Sequence, residues 1–315
     1  MNPRRSPSAY QAGVTVLIYD NPPGFAAKAR AVLDRLAGLG ANSVGVAFPL
    51  FQTNWTATDV HSDPSRTPSL DNLALFVHEA HQRGFTVMLR PLLDEESLHP
   101  NGQWRGAIKP SDPAAWFASY TRELTNYARF AQTNHVEILD VGTELVSLQA
   151  DAGRWLDLTK ELRTVYKGQL TYSANWSQPA VAFAQGLDFV GVDAFFPLNA
   201  PTNASAAAIA EAWQAWFSPL QDVARKAGKP LVITELGTTS EKDSYQQPWI
   251  WSHGTGVNLE AQSHYYVAAC QALKPRASGM YWWVFYIDPP DDPANDISFA
   301  PEGKPAEAEI GRCYR

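Results

Sequence analysis

Eight short apolar runs, each followed by a longer stretch of different periodicity, constrain this 315-residue chain more than any other feature. They occupy residues 14–19, 43–49, 86–91, 137–142, 170–174, 189–195, 231–235 and 279–285. Valine, isoleucine, leucine and aromatic residues dominate them. Their apolar character is nearly continuous, as expected of parallel strands covered on both faces rather than of strands with one wet side.

Between the runs the apolar spacing changes to three or four residues. Phe25, Ala29, Val32, Leu33, Leu36 and Leu39 fall on one helical stripe, and Gly38 and Gly40 supply its stop. Ser69, placed after Pro68, reads as the N-cap of a helix carrying Leu70, Leu73, Phe76, Val77 and Ala80 and ending at Gly84. Trp116, Tyr120, Leu124, Tyr127 and Ala131 repeat the pattern, as do Trp155, Leu158, Leu162 and Val165 before Gly168. The helical signal is thin after the fifth run, around 179–184, and near 306–310.

Strand and helix alternating eight times predict an α/β fold closed as a single (β/α)8 TIM barrel. An open doubly wound sheet would bring a G-x-G-x-x-G turn after an early strand, and none is present. No linker rich in Pro, Gly or Ser divides the chain. We therefore expect an N-terminal extension at 1–12 and one catalytic barrel at 13–315.

A formal charge of −7 without a basic patch argues against nucleic acid as a partner, and no apolar run approaches membrane-spanning length. Residues 1–8 are basic, but no apolar stretch follows them before Gly13, so no secretory signal is visible. The expected location is cytoplasmic, or secreted with the signal peptide absent from this chain. Cys270 and Cys313 are too few for a disulfide framework or a zinc cluster, and whether they bridge is left open. No feature specifies an oligomeric state.

In barrels of this kind the reacting groups stand at the carboxyl ends of strands. Two runs end in glutamate: the fourth leads to Glu144 and the seventh to Glu235. A carboxylate directly after an apolar strand is costly to bury unless partnered or functional, and these two occupy matched positions three units apart on a ring. Hydrolysis of a glycosidic bond needs such a pair, one carboxylic acid to protonate the leaving oxygen and one carboxylate to attack the anomeric carbon. The bland alternative pairs each Glu with a rim arginine. Arg90, ending the third run, is the obvious cation, either holding Glu235 ionised or touching the sugar.

Met88-Leu89-Arg90-Pro91, Gly142-Thr143-Glu144-Leu145, residues 63–69, 171–176 and 191–198, and Thr234-Glu235-Leu236-Gly237 together resemble glycoside hydrolase clan A, and within it glycoside hydrolase family 113, whose known members are mainly endo-β-mannanases. The resemblance covers most of the chain. It implies a retaining hydrolase of β-linked polysaccharide or oligosaccharide, with Glu144 as acid/base and Glu235 as nucleophile. Three departures stand out. Thr143 occupies the place where many clan members have an Asn that holds the sugar 2-hydroxyl. Phe195 and Phe196 stand near where a supporting Tyr is common, and Arg90 replaces an expected Lys.

Eleven Trp is a high count, and Trp55, Trp104, Trp176, Trp249, Trp251, Trp282 and Trp283 follow strands or sit in loops, where flat indole faces suit sugar rings. By the resemblance, Trp282 or Trp283 floors the reacting subsite, and alternation allows only one of the two to face the barrel. The expected substrate-binding set is Arg90, Asn175, Trp176, Asp193, Trp282 and Trp283. The chemistry calls for no metal and no cofactor, and Asp94-Glu95-Glu96 reads as a solvated loop with one or two sugar contacts. Three other readings remain: a clan A β-glycosidase of different sugar specificity, a carbohydrate-binding barrel without catalysis, and a barrel for phosphorylated metabolites with an anion site at Gly237-Thr238-Thr239.

Overall fold

The computed structural model describes residues 10–94, 96–179 and 181–315. Eight parallel strands close a ring: β1 (Gln11–Leu17), β2 (Ser43–Gln52), β4 (Thr86–Asp94), β5 (Ile138–Thr143), β6 (Gln169–Asn175), β7 (Val190–Asp193), β8 (Leu231–Leu236) and β9 (Gly279–Tyr286). Pairing of β1 with both β2 and β9 makes the closure. The short β3 (Val60–His61) lies antiparallel on the end of β2, outside the ring, so the fourth and seventh apolar runs are β5 and β8. The fold is the expected TIM barrel. Glu95, the residues before Tyr10 and most of the expected 1–12 extension lie outside the described residues, and β1 begins at Gln11, two residues ahead of the expected boundary.

The barrel interior is layered. Met88, Ile138, Phe189, Val232 and Tyr281 cluster toward the amino ends of the strands. Leu17, Ala47, Leu92, Phe195, Trp283 and Phe299 cluster toward the carboxyl ends. Arg90, Asp140, Ser173, Asp193 and Thr234 form a polar layer, fully or almost fully buried. Glycine makes room for the large members: a Cβ on Gly13 would lie 2.3 Å from the Tyr281 ring, and one on Gly45 would lie 2.9 Å from Thr15 and 3.4 Å from the stem of Arg90.

Around the ring run α1 (Phe25–Gly38), α2 (Leu70–Gln82), α3 (Pro113–Thr133), α4 (Ala152–Val165), α5 (Ala206–Ala212), α6 (Gln214–Ala227), α7 (Leu259–Leu273) and α8 (Pro305–Tyr314). The Ser69 hydroxyl caps α2 by accepting from the Asn72 amide. Leu70 departs from the expected stripe and is exposed, because the first turn of α2 overhangs the core and contact begins at Leu73. Leu39 is the C-cap of α1 and only partly buried. Among the described residues the fifth unit carries only a 3-10 turn, Ala184–Gly186, where the helical signal is thin. Cys270 and Cys313 are bridged, with Cα atoms 5.9 Å apart, tying α7 to α8.

Candidate active site

Arg90 organises the floor of the site. It is fully buried, and such a charge persists only when its donors are matched. Its Nη2 donates to Glu235 Oε1 at 2.8 Å and to Ser173 Oγ at 3.2 Å, its Nη1 to the Thr234 carbonyl at 3.2 Å, and its Nε to Asp140 Oδ2 at 3.2 Å. Asp140 also accepts from Ser173 Oγ and from Thr143 Oγ1. Asp193 is close, 3.8 Å from the guanidinium, and its Oδ1 accepts from the Thr234 hydroxyl at 2.8 Å while Oδ2 has no partner among the described residues. One cation thus faces three carboxyls. Burial pushes the Asp193 carboxyl well above the carboxylate range, with the charge of Glu235 adding to the rise. Burial alone would lower Arg90, but Glu235, Asp140 and Asp193 together raise it.

Glu235 sits on β8 where the β7–β8 and β8–β9 registers both shift, irregularities that turn its side chain into the barrel mouth region beside Arg90. Glu144 follows a similar shift in the β5–β6 pairing. Its backbone is left-handed, φ 55°, a conformation costing a non-glycine residue on the order of 1 kcal/mol. Strand β6 offsets that cost: the Ser173 carbonyl accepts from Glu144 N, the Tyr172 hydroxyl accepts from Leu145 N, and Asn175 Nδ2 donates to Glu144 Oε1 at 2.7 Å.

Burial is the largest influence on both catalytic candidates and raises both. The Glu235 carboxyl is pushed up to about 7 against the pull of Arg90, with the negative charge of Glu144 adding to the rise. Arg105, on the turn Arg105–Ala107, and the amide of Asn175 pull Glu144 back down. That turn packs on the turn following Glu144, Val146–Leu148, where Ser147 Oγ donates to the Ile108 carbonyl.

The mouth is aromatic. Trp283 joins the inner cluster at the carboxyl ends, whereas Trp282 points outward and stacks on Tyr266 of α7, ring centroids 4.3 Å apart. Trp282 therefore offers no face to a ligand. Trp176, half-buried, stacks on the exposed Trp249 at 5.3 Å. Trp251, 57% exposed, meets Phe299 edge-on, and Phe299 meets Phe195. A cavity of about 530 Å³ opens at the ends of β1 and β9, lined by Tyr19, Asp20, Asn21, Ser65, Tyr286 and Asp288. In the ring order β9 stands diametrically across from β5, so this cavity and Glu144 lie on opposite sides of the mouth.

Of the expected residues, Glu144, Glu235, Asn175, Trp176 and Trp283 gather at the mouth. Arg90 and Asp193 lie beneath it, and expecting either to touch a sugar does not fit their burial, since neither offers any surface. Thr143 bonds Asp140. Asp94 accepts from the Tyr19 hydroxyl, and Glu96 pairs with Arg66, so both are spoken for on the rim. Sequence reasoning missed Asp140, Ser173 and Arg105. A signal for the first two existed: a polar residue recurring at the inward-facing phase of otherwise apolar runs.

Comparison with known proteins agrees with this geometry. A family model described as Glycoside Hydrolase Family 113 matches residues 25–304. Among solved structures, a GH113 β-1,4-mannanase superimposes with a TM-score of 0.86 at 24% identity, covering 97% of this chain and 99% of that one. The GH113 β-mannanase AaManA from Alicyclobacillus acidocaldarius, solved with ManMIm, gives 0.85 at 26% identity and 97% coverage of each chain. A family 5 mannosidase from Rhizomucor miehei shares the fold alone, with a TM-score of 0.61 at 10% identity, over 97% of this chain and 92% of that one. A search of curated protein sequences finds no match. A closed barrel carrying one buried arginine and two carboxyls at the ends of β5 and β8, matched by the family model over most of its length, makes this chain a glycoside hydrolase of family 113.

Proposed function

We propose that the enzyme is a retaining endo-β-1,4-mannanase-like hydrolase, with Glu235 as nucleophile and Glu144 as general acid and base. The observation that carries the assignment is the unequal bonding of the two carboxyls. Glu235 receives a guanidinium N–H, which favours its anion, while among the described residues Glu144 receives a hydrogen bond from a neutral amide alone. The negative charge of Glu144 adds to the rise of the Glu235 carboxyl, so a proton on Glu144 favours the Glu235 anion. With that proton on Glu144 the repulsion that raises Glu235 is gone, so each role stabilises the other.

In the first step a Glu235 oxygen bonds the anomeric carbon as the glycosidic C–O bond breaks, and Glu144 gives its proton to the leaving oxygen. In the second, water bonds the same carbon, its proton passes to Glu144, and the ester to Glu235 breaks. Two inversions leave the configuration retained. Trp283, facing the mouth, floors the sugar that reacts.

The leaving sugar belongs beside Glu144, so the chain on the other side of the scissile bond runs across the mouth toward the β1–β9 cavity. The cavity across the mouth from Glu144 gives room for further sugars on that side of the scissile bond, which supports a polymeric substrate. The names of the two β-mannanase relatives support mannan as substrate. The Cys270–Cys313 bridge supports an oxidising, extracellular setting.

Glu235→Ala is expected to remove turnover without unfolding the barrel, and azide is expected to restore it with an inverted glycosyl azide as product. Full activity in that variant would remove Glu235 from the mechanism. A panel of manno-, gluco-, xylo- and galacto-oligosaccharides with product sizes recorded tests the specificity: internal cleavage of manno-oligosaccharides is expected, and release of single sugars from one end would overturn endo action.

A further inference from the structure

We infer that Asn175, held by Ser177, is a positioning residue that decides which oxygen of Glu144 carries the catalytic proton. This inference rests on the acid/base role proposed for Glu144. Asn175 Nδ2 donates to Glu144 Oε1 at 2.7 Å, so that oxygen is occupied as an acceptor. When Glu144 is protonated, the proton therefore resides on Oε2, and Oε2 is the oxygen that delivers it to the leaving group.

The orientation of the Asn175 amide is what makes this work, and it is fixed from the other end. Its Oδ1 accepts from the Ser177 amide at 2.9 Å and from Ser177 Oγ at 2.6 Å, two donors that an amide nitrogen could not satisfy. Asn175 must then present its NH2 to Glu144. Reversed, its carbonyl would bond only a protonated Glu144, pinning the proton on the wrong oxygen and opposing the ionised form that the second step needs. The remaining bonds from β6, through Ser173 and Tyr172, hold the Glu144 backbone, while Asn175 alone among them touches the carboxyl. Thr143 is turned to Asp140, so the residue before Glu144 supplies no such donor.

The sign of the effect follows. A donor to the carboxylate favours its ionised form, so removing that donor makes Glu144 harder to ionise. In Asn175→Ala the alkaline limb of kcat/KM, which reports loss of the acid's proton, is expected to move upward by about one pH unit. Turnover of substrates with poor leaving groups is expected to fall roughly tenfold or more, while activated aryl glycosides, which need little acid assistance, are much less affected. Ser177→Ala, which removes the Oγ donor but keeps the backbone N–H on Asn175 Oδ1, is expected to shift the limb in the same direction by less.

A uniform loss on both substrate classes with an unmoved alkaline limb would reduce Asn175 to a structural residue and overturn the inference. Glu144→Ala is the control that separates the two levels. If it keeps full activity on poor leaving groups, the acid/base assignment itself fails; if it loses that activity while Asn175→Ala leaves the limb in place, only the role of Asn175 fails.

Discussion

Arg90 shows how much one residue can hold together inside a closed barrel. Its four donated bonds reach β5, β6 and β8, so it fixes Glu235, the proposed nucleophile, and ties three strands. Replacing it with methionine leaves Asp140 and Glu235 buried without a counter-charge. Arg90→Met is expected to cost about 3–5 kcal/mol in urea unfolding, the range for breaking a buried ion pair from one side. A loss under about 1 kcal/mol would mean that the surrounding hydroxyls and protons already compensate the acids. Asp193 is the natural place for such a proton, since its Oδ2 lacks a partner among the described residues and burial disfavours its anion. The sequence marked Arg90 as a partner for Glu235. It could not choose between that and sugar contact, because burial at a strand end depends on the other seven strands.

At the scale of elements, apolar runs located all eight barrel strands to within a few residues, since a strand covered on both faces has few polar positions to blur it. Less visible were the register shifts at the ends of β5, β7 and β8 that aim the site residues, because such shifts depend on the neighbour strand as much as on the strand itself. No apolar stripe is legible over α5 and α6: Ala-rich sequence buries only Ile209 in the first, and Leu220 and Val223 in the second. Interior fit between strands is tight enough to test. Gly13 of β1 lies under the ring of Tyr281 of β9, and Gly13→Ala is expected to lower stability by about 1–3 kcal/mol, measured by thermal unfolding. A neutral substitution would show that Tyr281 has room to move aside.

Across the whole molecule the barrel closes where the chain ends. The Tyr314 hydroxyl lies 2.7 Å and 2.8 Å from the carbonyls of Gly13 and Met280, sealing the β1–β9 seam from α8, and the Cys270–Cys313 bridge fastens α8 to α7 across 43 residues of sequence. Constraint of the unfolded chain by a loop of that size gives an upper figure of about 4 kcal/mol. The Cys270→Ser, Cys313→Ser double variant is therefore expected to unfold at lower denaturant concentration with its activity intact when folded; an unchanged midpoint would show that the bridge adds nothing. By itself the sequence determined the barrel, its order of units and the two glutamates at matched strand ends, because periodicity and strand-end position are local properties. The tertiary structure alone decided that Arg90 and Asp193 lie under the site, that Trp283 faces the mouth while Trp282 faces α7, and that Asn175 grips Glu144. Each of these depends on which side chains meet across the ring, and strands far apart in sequence become neighbours only when the ring closes.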